Sequence, residues 1–249
     1  MRLSPSALFD RLIFAPPGPD RAAALVARPY AHRGRHEGGR VENSRSAFAA
    51  AIAAGEGIEL DVRLSYDADA VVFHDATLDR LTGVSGPVAR LSMRRLAEIT
   101  LGDGGDSIQS LSQVLDQVGG RVPLLVEIKA GRRLPVALCY AVRRALEGYG
   151  GVVGVMSFHP EVSRWFARQA PHLLRGLVIG AAGTRGWPRW RGRIVRLWSL
   201  LRARPQFLAC DIRGLPLPLV RRARRAGVPV LAWTVRTDDD QALAVAEVD

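Results

Sequence analysis

Two pairs of ionisable residues are spaced two apart within apolar runs that predict buried β-strands. The pairs are Glu59 with Asp61, and Glu127 with Lys129. Because residues two apart in a strand point to the same face, each pair projects to one side of the sheet. Three buried carboxylates repel one another and lose hydration unless cations offset them. Such oxygen ligands suit a hard divalent ion, and structural ion pairs with Arg33 and Lys129 are the alternative.

Two histidines end further predicted strands, His32 in the first and His74 in the third. Beside a metal site, such a pair can act as acid and base, one removing a proton from a nucleophile and the other protonating a leaving group. Arg33 and Lys129 would then supply positive charge to an anionic substrate oxygen. This combination favours phosphoryl chemistry. A serine hydrolase is disfavoured because the sequence has no G-x-S-x-G motif.

The overall composition is that of a globular protein, with 249 residues, 48% hydrophobic and 24% charged. These values exclude disordered, collagen-like and disulfide-scaffold classes. The net charge is +11, and 34 of the 35 basic residues are arginine, so Lys129 is the only lysine. A solvated arginine-rich surface explains the charge most simply. Nucleic acid, an anionic membrane and a phosphorylated substrate are the functional alternatives, and no nucleic-acid-binding module supports the first.

The sequence predicts a cytoplasmic protein. No apolar run approaches the ~20 residues of a membrane span. Charged residues and prolines interrupt the first 27 residues, where a signal peptide needs a continuous apolar core. Cys139 and Cys210 lie in apolar stretches and are expected to be buried thiols.

Short apolar runs alternate with amphipathic stretches after a lead segment of 29 residues. The predicted strands are 29–31, 57–62, 70–73, 122–128, 152–156, 173–179, 207–212 and 228–234. The predicted helices are 44–54, 92–99, 110–118, 134–146, 161–169, 217–226 and 238–248. This alternation indicates an α/β fold with parallel strands. A TIM-type (β/α)8 barrel is favoured over an open sheet, because ionisable residues cluster at the carboxyl ends of several strands.

Five motifs in this order resemble the glycerophosphodiester phosphodiesterase family. They are Ala31-His32-Arg33-Gly34, Glu42-Asn43 before a helix, Glu59-Leu60-Asp61-Val62, Val72-Phe73-His74-Asp75 with Arg80, and Glu127-Ile128-Lys129. The resemblance implies a TIM-type barrel that binds a divalent cation, calcium or magnesium. It also implies hydrolysis of glycerophosphodiesters to glycerol 3-phosphate and an alcohol, a reaction of lipid and glycerol metabolism.

The resemblance also implies a role for each matching residue. Glu59, Asp61 and Glu127 would be the metal ligands. His32 and His74 would be the acid–base pair. Arg33 and Lys129 would bind the phosphate. Glu42 and Trp233 would line the substrate, although Glu42 fits a helix N-terminal charge equally well. The alternatives are a related phosphodiesterase acting on intact phospholipid headgroups, and a degenerate barrel that binds phosphodiesters or membranes without turnover.

Two further features of the sequence are the C-terminal end of the chain and a basic segment near it. The chain ends after helix 238–248, where the family pattern continues into an eighth barrel strand, so we expect either a barrel that lacks this strand or a fragment of a longer chain. The expected domains are a lead at 1–29 and a barrel at 30–249. Residues 185–204 contain seven arginines and three tryptophans. This segment predicts either an outer barrel helix or a basic amphipathic helix in peripheral contact with an anionic membrane.

Overall fold

Strands and helices alternate along the chain in a computed structural model, which describes residues 4–103, 105–181 and 189–249. The strands are β1 (Tyr30–His32), β2 (Gly57–Leu64), β3 (Ala70–Val72), β4 (Leu124–Ile128), β5 (Val153–Ser157), β6 (Leu174–Ile179), β7 (Phe207–Asp211) and β8 (Val230–Trp233). The helices are α1 (Pro5–Ile13), α2 (Pro19–Val26), α3 (Arg45–Ala54), α4 (Met93–Leu96), α5 (Leu111–Val118), α6 (Val136–Ala145), α7 (Pro160–Gln169), α8 (Arg189–Ala203), α9 (Pro218–Arg225) and α10 (Asp238–Glu247).

The chain forms two compact units. The first unit is Arg28–Gly154, and the second unit combines Met1–Ala27 with Val155–Asp249. The predicted division into a lead at 1–29 and a barrel at 30–249 stays a prediction.

Strand β2 is the central strand of the first unit. It pairs in parallel with β1, where His32 is opposite Glu59, and with β4, where Asp61 is opposite Glu127. Strand β3 returns antiparallel to β2. Every residue of β4 is buried, which explains why its sequence is an apolar run rather than an alternating one.

Helix α3 follows β1 and has clear sequence signals at both ends. The Ser44 hydroxyl accepts a hydrogen bond from the Ala47 amide at 3.2 Å, which caps the first turn. Gly55 ends the helix with φ +70°, a left-handed conformation that glycine adopts at little cost. The predicted helix at 44–54 is confirmed.

The second unit contains the parallel strands β6, β7 and β8, with β7 in the middle. Its core includes Ile13 and Phe14 from the end of α1, both almost fully buried. The sequence prediction left this lead without elements, because α1 and α2 are short and prolines separate them.

The α/β prediction is confirmed. Apart from the antiparallel β3, the strands alternate with helices along the chain, and the pairings described within each unit are parallel. Cys139 and Cys210 are buried free thiols, and burial raises the pKa of each to about 12.

Candidate active site

Three buried carboxylates converge at the β2–β4 pairing. Glu59 and Asp61 project from β2 and Glu127 from β4, and one oxygen of each lies within 4.8 Å of the others. The parallel register places Asp61 directly opposite Glu127, and the spacing of two keeps Glu59 on the same face. The structure therefore brings together the three residues expected to bind a metal.

Two cations partly neutralise this cluster. The Lys129 Nζ lies 2.7 Å from Asp61 Oδ1 and 2.6 Å from Glu127 Oε1. The Arg33 Nε lies 3.2 Å from Asp61 Oδ2. Burial alone would lower the pKa of Lys129, but the charges of Asp61 and Glu127 outweigh burial and hold that pKa above its ordinary value. Both sequence expectations, a metal-type carboxylate set and ion pairs, are present in the same cluster.

The three carboxylates have different electrostatic environments. Burial, followed by the charges of Asp61 and Glu127, raises the pKa of Glu59 well above its ordinary range. Burial also raises the pKa of Glu127. Burial would raise the pKa of Asp61 as well, but Lys129 and then Arg33 outweigh it, and the pKa is lowered. Glu59 is therefore the carboxylate with the least compensated charge.

The donor set fits a divalent cation. Glu59 Oε1 is fully buried and accepts no hydrogen bond within the described residues. An unsatisfied carboxylate oxygen in a dry site is costly, and a bound cation would remove that cost. All the candidate ligands are carboxylate oxygens, which calcium and magnesium prefer.

A tight turn after β1 positions Arg33. Its backbone has φ +59°, and its amide donates to Glu59 Oε2 at 3.1 Å. Gly34 follows with φ +81°, and a Cβ at this position would come within 2.9 Å of Phe48. The turn therefore needs glycine both for its backbone conformation and for the close approach of α3.

Asn43 holds Asp61 from the other side, a role that the sequence prediction did not assign. Its Nδ2 donates to Asp61 Oδ2 at 3.0 Å, and its Oδ1 accepts from the Asp61 amide at 3.3 Å. Asn43 is buried and has φ +55°, a conformation that asparagine tolerates better than most residues. The sequence indicates no such role for Asn43, because its contact with β2 depends on tertiary structure.

His32 lies beside the carboxylates at the end of β1. Its Nε2 is 3.8 Å from Glu59 Oε2, longer than a hydrogen bond. Burial and then the charge of Arg33 lower the pKa of His32 to about 4. The imidazole is therefore neutral near pH 7.

His74 has a carboxylate partner of its own. Its Nδ1 lies 2.7 Å from Asp75 Oδ1, and the pKa of Asp75 is lowered because the hydrogen bonds from Arg80 and His74 outweigh burial. An ionised Asp75 only accepts, so Nδ1 carries the proton and Nε2 is the acceptor of the neutral ring. Burial lowers the pKa of His74, and Asp75 opposes that shift.

Arg80 joins the histidine to the arginine of the site. Its Nε contacts Asp75 Oδ2 at 2.5 Å, and its two terminal nitrogens contact the Glu42 carboxylate at 2.7 and 3.1 Å. Glu42 Oε1 also accepts from Arg33 Nη1 at 2.8 Å. A continuous chain of ion pairs thus runs from His74 to Arg33. Glu42, expected to line the substrate, is held by two arginines at 13% side-chain exposure.

Trp233, the other expected substrate-lining residue, belongs to the second unit at the end of β8. Its indole donates to the Ala209 carbonyl at 3.1 Å. Its ring meets Phe158 edge-on, with ring centroids 5.7 Å apart. Every other expected site residue lies in the first unit.

The chain matches a known protein family over most of its length. The model of the glycerophosphoryl diester phosphodiesterase family matches residues 32–249. The chain belongs to this family. It is 30% identical over 231 residues to a glycerophosphodiester phosphodiesterase of Caldanaerobacter subterraneus, covering 88% of this chain and 90% of that protein. A probable glycerophosphodiester phosphodiesterase 2 of Mycobacterium tuberculosis is 32% identical, with coverages of 84% and 80%.

Solved structures of glycerophosphodiester phosphodiesterases share the fold. The Thermotoga maritima enzyme is 26% identical, with a TM-score of 0.70 over 88% of this chain and 91% of that one. An Oleispira antarctica phosphodiesterase, solved with its product sn-glycerol-3-phosphate, is 22% identical, with a TM-score of 0.72 and coverages of 90% and 92%. The predicted family, the TIM-type barrel fold and the phosphoric diester hydrolase class are confirmed.

No helix of the described residues combines the length and the apolar character that crossing a bilayer would require.

Proposed function

We propose that this family member hydrolyses glycerophosphodiesters to glycerol 3-phosphate and an alcohol, with a divalent cation and a histidine pair. The observation that carries the proposal is the convergence of three carboxylates, Arg33, Lys129 and two histidines in one unit. The product in the Oleispira antarctica structure supports the substrate class. A cation in the carboxylate set would supply positive charge to a phosphate oxygen.

The phosphodiester would bind through its anionic oxygens to Arg33 and Lys129. Both side chains are less than one-fifth exposed, so their charges act in a medium of low polarity. Arg33 presents its guanidinium from a turn that Glu42 and Asp61 hold in place. This preorganisation favours charge that develops on the phosphate in the transition state.

We assign proton removal to His32 and proton donation to His74. His32 is neutral, and no carboxylate of the described residues hydrogen-bonds to it, so its imidazole can take a proton from water or from the neighbouring glycerol hydroxyl. Burial lowers the pKa of His74, but the contact with Asp75 opposes that shift and favours the protonated form, which can deliver a proton to the departing alcohol. When water attacks directly, exchange of protons with solvent returns both rings to their starting states. When the glycerol hydroxyl attacks, a cyclic phosphodiester forms; a water then opens it to glycerol 3-phosphate, with His74 taking the proton from that water and His32 returning its proton to the departing glycerol oxygen.

The decisive experiment measures glycerol 3-phosphate release from glycerophosphocholine, glycerophosphoethanolamine and glycerophosphoglycerol, with calcium, magnesium or excess chelator. We expect turnover with a cation and none in chelator. Full activity in chelator would contradict the proposed requirement for a divalent cation. Release from an intact phospholipid, but not from its deacylated form, would favour the alternative that acts on intact headgroups.

Single histidine variants test the acid–base pair. His32→Ala and His74→Ala should each lower kcat by about 10²-fold or more, because each removes one proton transfer. His172→Ala is the matched control, since His172 is exposed and lies in the second unit. Near-normal turnover in either site variant would contradict the pair.

The cytoplasmic location and the assignment of residues 30–249 as one barrel domain also remain our proposals. Cell fractionation and the activity of a chain starting at residue 30 test them.

A further inference from the structure

Helix α8 presents an apolar stripe to solvent. Ile194, Leu197, Trp198 and Leu201 follow the spacing of one helix face, and Ile194 and Trp198 are 57% and 52% exposed. Five of the fifteen exposed large apolar side chains in the described part of the chain belong to α8, with Val195 as the fifth.

A different face of the same helix packs on the core of the second unit. Leu200 and Ala203 are almost fully buried there. An outer barrel helix ordinarily buries its apolar stripe and exposes its polar face. The outer-helix expectation therefore accounts for Leu200 and Ala203 but not for the exposed stripe.

Helix α1, which packs against α8, also has exposed apolar residues. Leu8 and Leu12 are one helical turn apart and are 53% and 60% exposed. Arg11 is exposed beside them. Two neighbouring helices of the second unit thus expose large apolar side chains together with basic ones.

The charge of α8 is of one sign. The helix contains five arginines and no acidic residue. Arg193 is exposed, and the Arg202 guanidinium lies 5.9 Å from the centre of the Trp198 ring while it pairs with Glu161. Exposed leucines and a tryptophan flanked by arginines are typical of helices that lie in the interface of an anionic bilayer.

We propose that α8 and α1 form a docking surface for an anionic phospholipid bilayer. Its residues are Leu8, Leu12, Ile194, Leu197, Trp198 and Leu201, with Arg193 for the lipid phosphates. The sequence indicated membrane contact through residues 185–204. The proposed surface uses α8 from that segment and adds α1, and residues 185–188 lie outside the described residues.

Charge complementarity selects lipid over a second copy of this chain. A two-fold interface through α8 would bring together two helices of the same positive charge, and like charges across an interface disfavour association. Anionic headgroups offer the opposite charge, and acyl chains accept the apolar stripe.

Flotation with phosphatidylglycerol–phosphatidylcholine vesicles, against pure phosphatidylcholine vesicles, tests the surface. The full chain should float with the anionic vesicles and much less with the neutral ones. Leu197→Ser with Leu201→Ser should weaken binding at least about tenfold, because two leucines lose their burial in lipid. Val245→Ser is the matched control, since Val245 is 79% exposed on α10.

Two charge-reversal variants distinguish binding through this surface from binding through the positive charge of the protein as a whole. Arg193→Glu should weaken anionic-vesicle binding more than Arg225→Glu, which makes the same change in an exposed arginine of α9. Hydrolysis of a water-soluble glycerophosphodiester should be unchanged in all these variants. Failure of the full chain to float, or equal flotation of the leucine variant, would overturn the proposal. A leucine-dependent dimer without flotation would show a second copy instead.

Discussion

Glu42 is a carboxylate whose surroundings oppose its burial. Burial would raise its pKa, but the hydrogen bonds and charges of Arg80 and Arg33 outweigh burial and lower the pKa below its ordinary value of 4.5. A group with a lowered folded-state pKa stabilises the fold above its ordinary pKa, and this contribution is lost as the pH falls.

Glu42→Gln should therefore destabilise the protein by about 1 kcal/mol at neutral pH. The difference from the parent should shrink as the pH falls below the ordinary value of 4.5, because the parent carboxylate then becomes progressively protonated. Denaturant unfolding at pH 7, 5 and 3.5 measures it. Glu98→Gln, in a pair exposed at both side chains, should show no such trend. A constant difference for Glu42→Gln would contradict the ion-pair explanation.

Arg80 is a positioning residue, since it reaches His74 only through Asp75. Arg80→Lys keeps the charge but loses the forked contact with Glu42. We expect kcat to fall about tenfold with KM little changed, because a mispositioned proton donor slows the reaction more than it weakens binding. Steady-state kinetics at several pH values checks this.

Arg144→Lys is the control for that experiment. Arg144 forms an exposed pair with Asp69 in the same unit. If both lysine variants lowered kcat equally, or if Arg80→Lys raised only KM, the positioning role would be wrong.

At the scale of elements, the turn between β1 and α3 determines the geometry of Arg33. Gly34 and Gly39 both have positive φ, yet only Gly34 lacks space for a Cβ, next to Phe48 and Ala47. Alanine at Gly39 would therefore cost only backbone strain, whereas alanine at Gly34 would cost backbone strain and steric overlap.

Gly34→Ala should cost about 2–4 kcal/mol of unfolding free energy, and Gly39→Ala about 1–2 kcal/mol. Gly34→Ala should also lower activity beyond its effect on stability, because it shifts Arg33 from Asp61. Thermal unfolding and kinetics of both variants measure these effects. Equal stability losses would show that Phe48 and Ala47 yield readily.

The strands and most helices could be predicted because local signals specify them. Strand β4 is continuous and apolar, and α3 has its cap residues in sequence. Helices α1 and α2 were missed, since their stability comes from packing of residues such as Phe14 and Leu25 rather than from a long periodic pattern. The roles of Asn43 and Arg80 were missed because their partners are distant in sequence.

At the scale of the whole molecule, the carboxylate cluster affects folding as well as chemistry. Three buried carboxylates face two cations, so without a divalent ion the folded state retains like-charge repulsion. A cation that binds only the folded state stabilises it by mass action.

Millimolar calcium or magnesium should therefore raise the Tm of the parent protein, and chelator should reverse the rise. Glu59→Gln should have a higher Tm than the parent in chelator and a smaller response to cation. Asp116→Asn, which removes an exposed carboxylate of α5, should retain the parent's response. A Tm that does not change when calcium or magnesium is added would contradict cation binding at this cluster.

Lys129 can be labelled selectively within the active-site cluster. Every other basic side chain is an arginine, so amine-acylating reagents have one side-chain target in the whole chain. In the folded protein that amine is 14% exposed and held as an ammonium by Asp61 and Glu127. Its labelling rate, read by mass spectrometry, therefore reports directly on how often this cluster opens and on whether a phosphate ester occupies it.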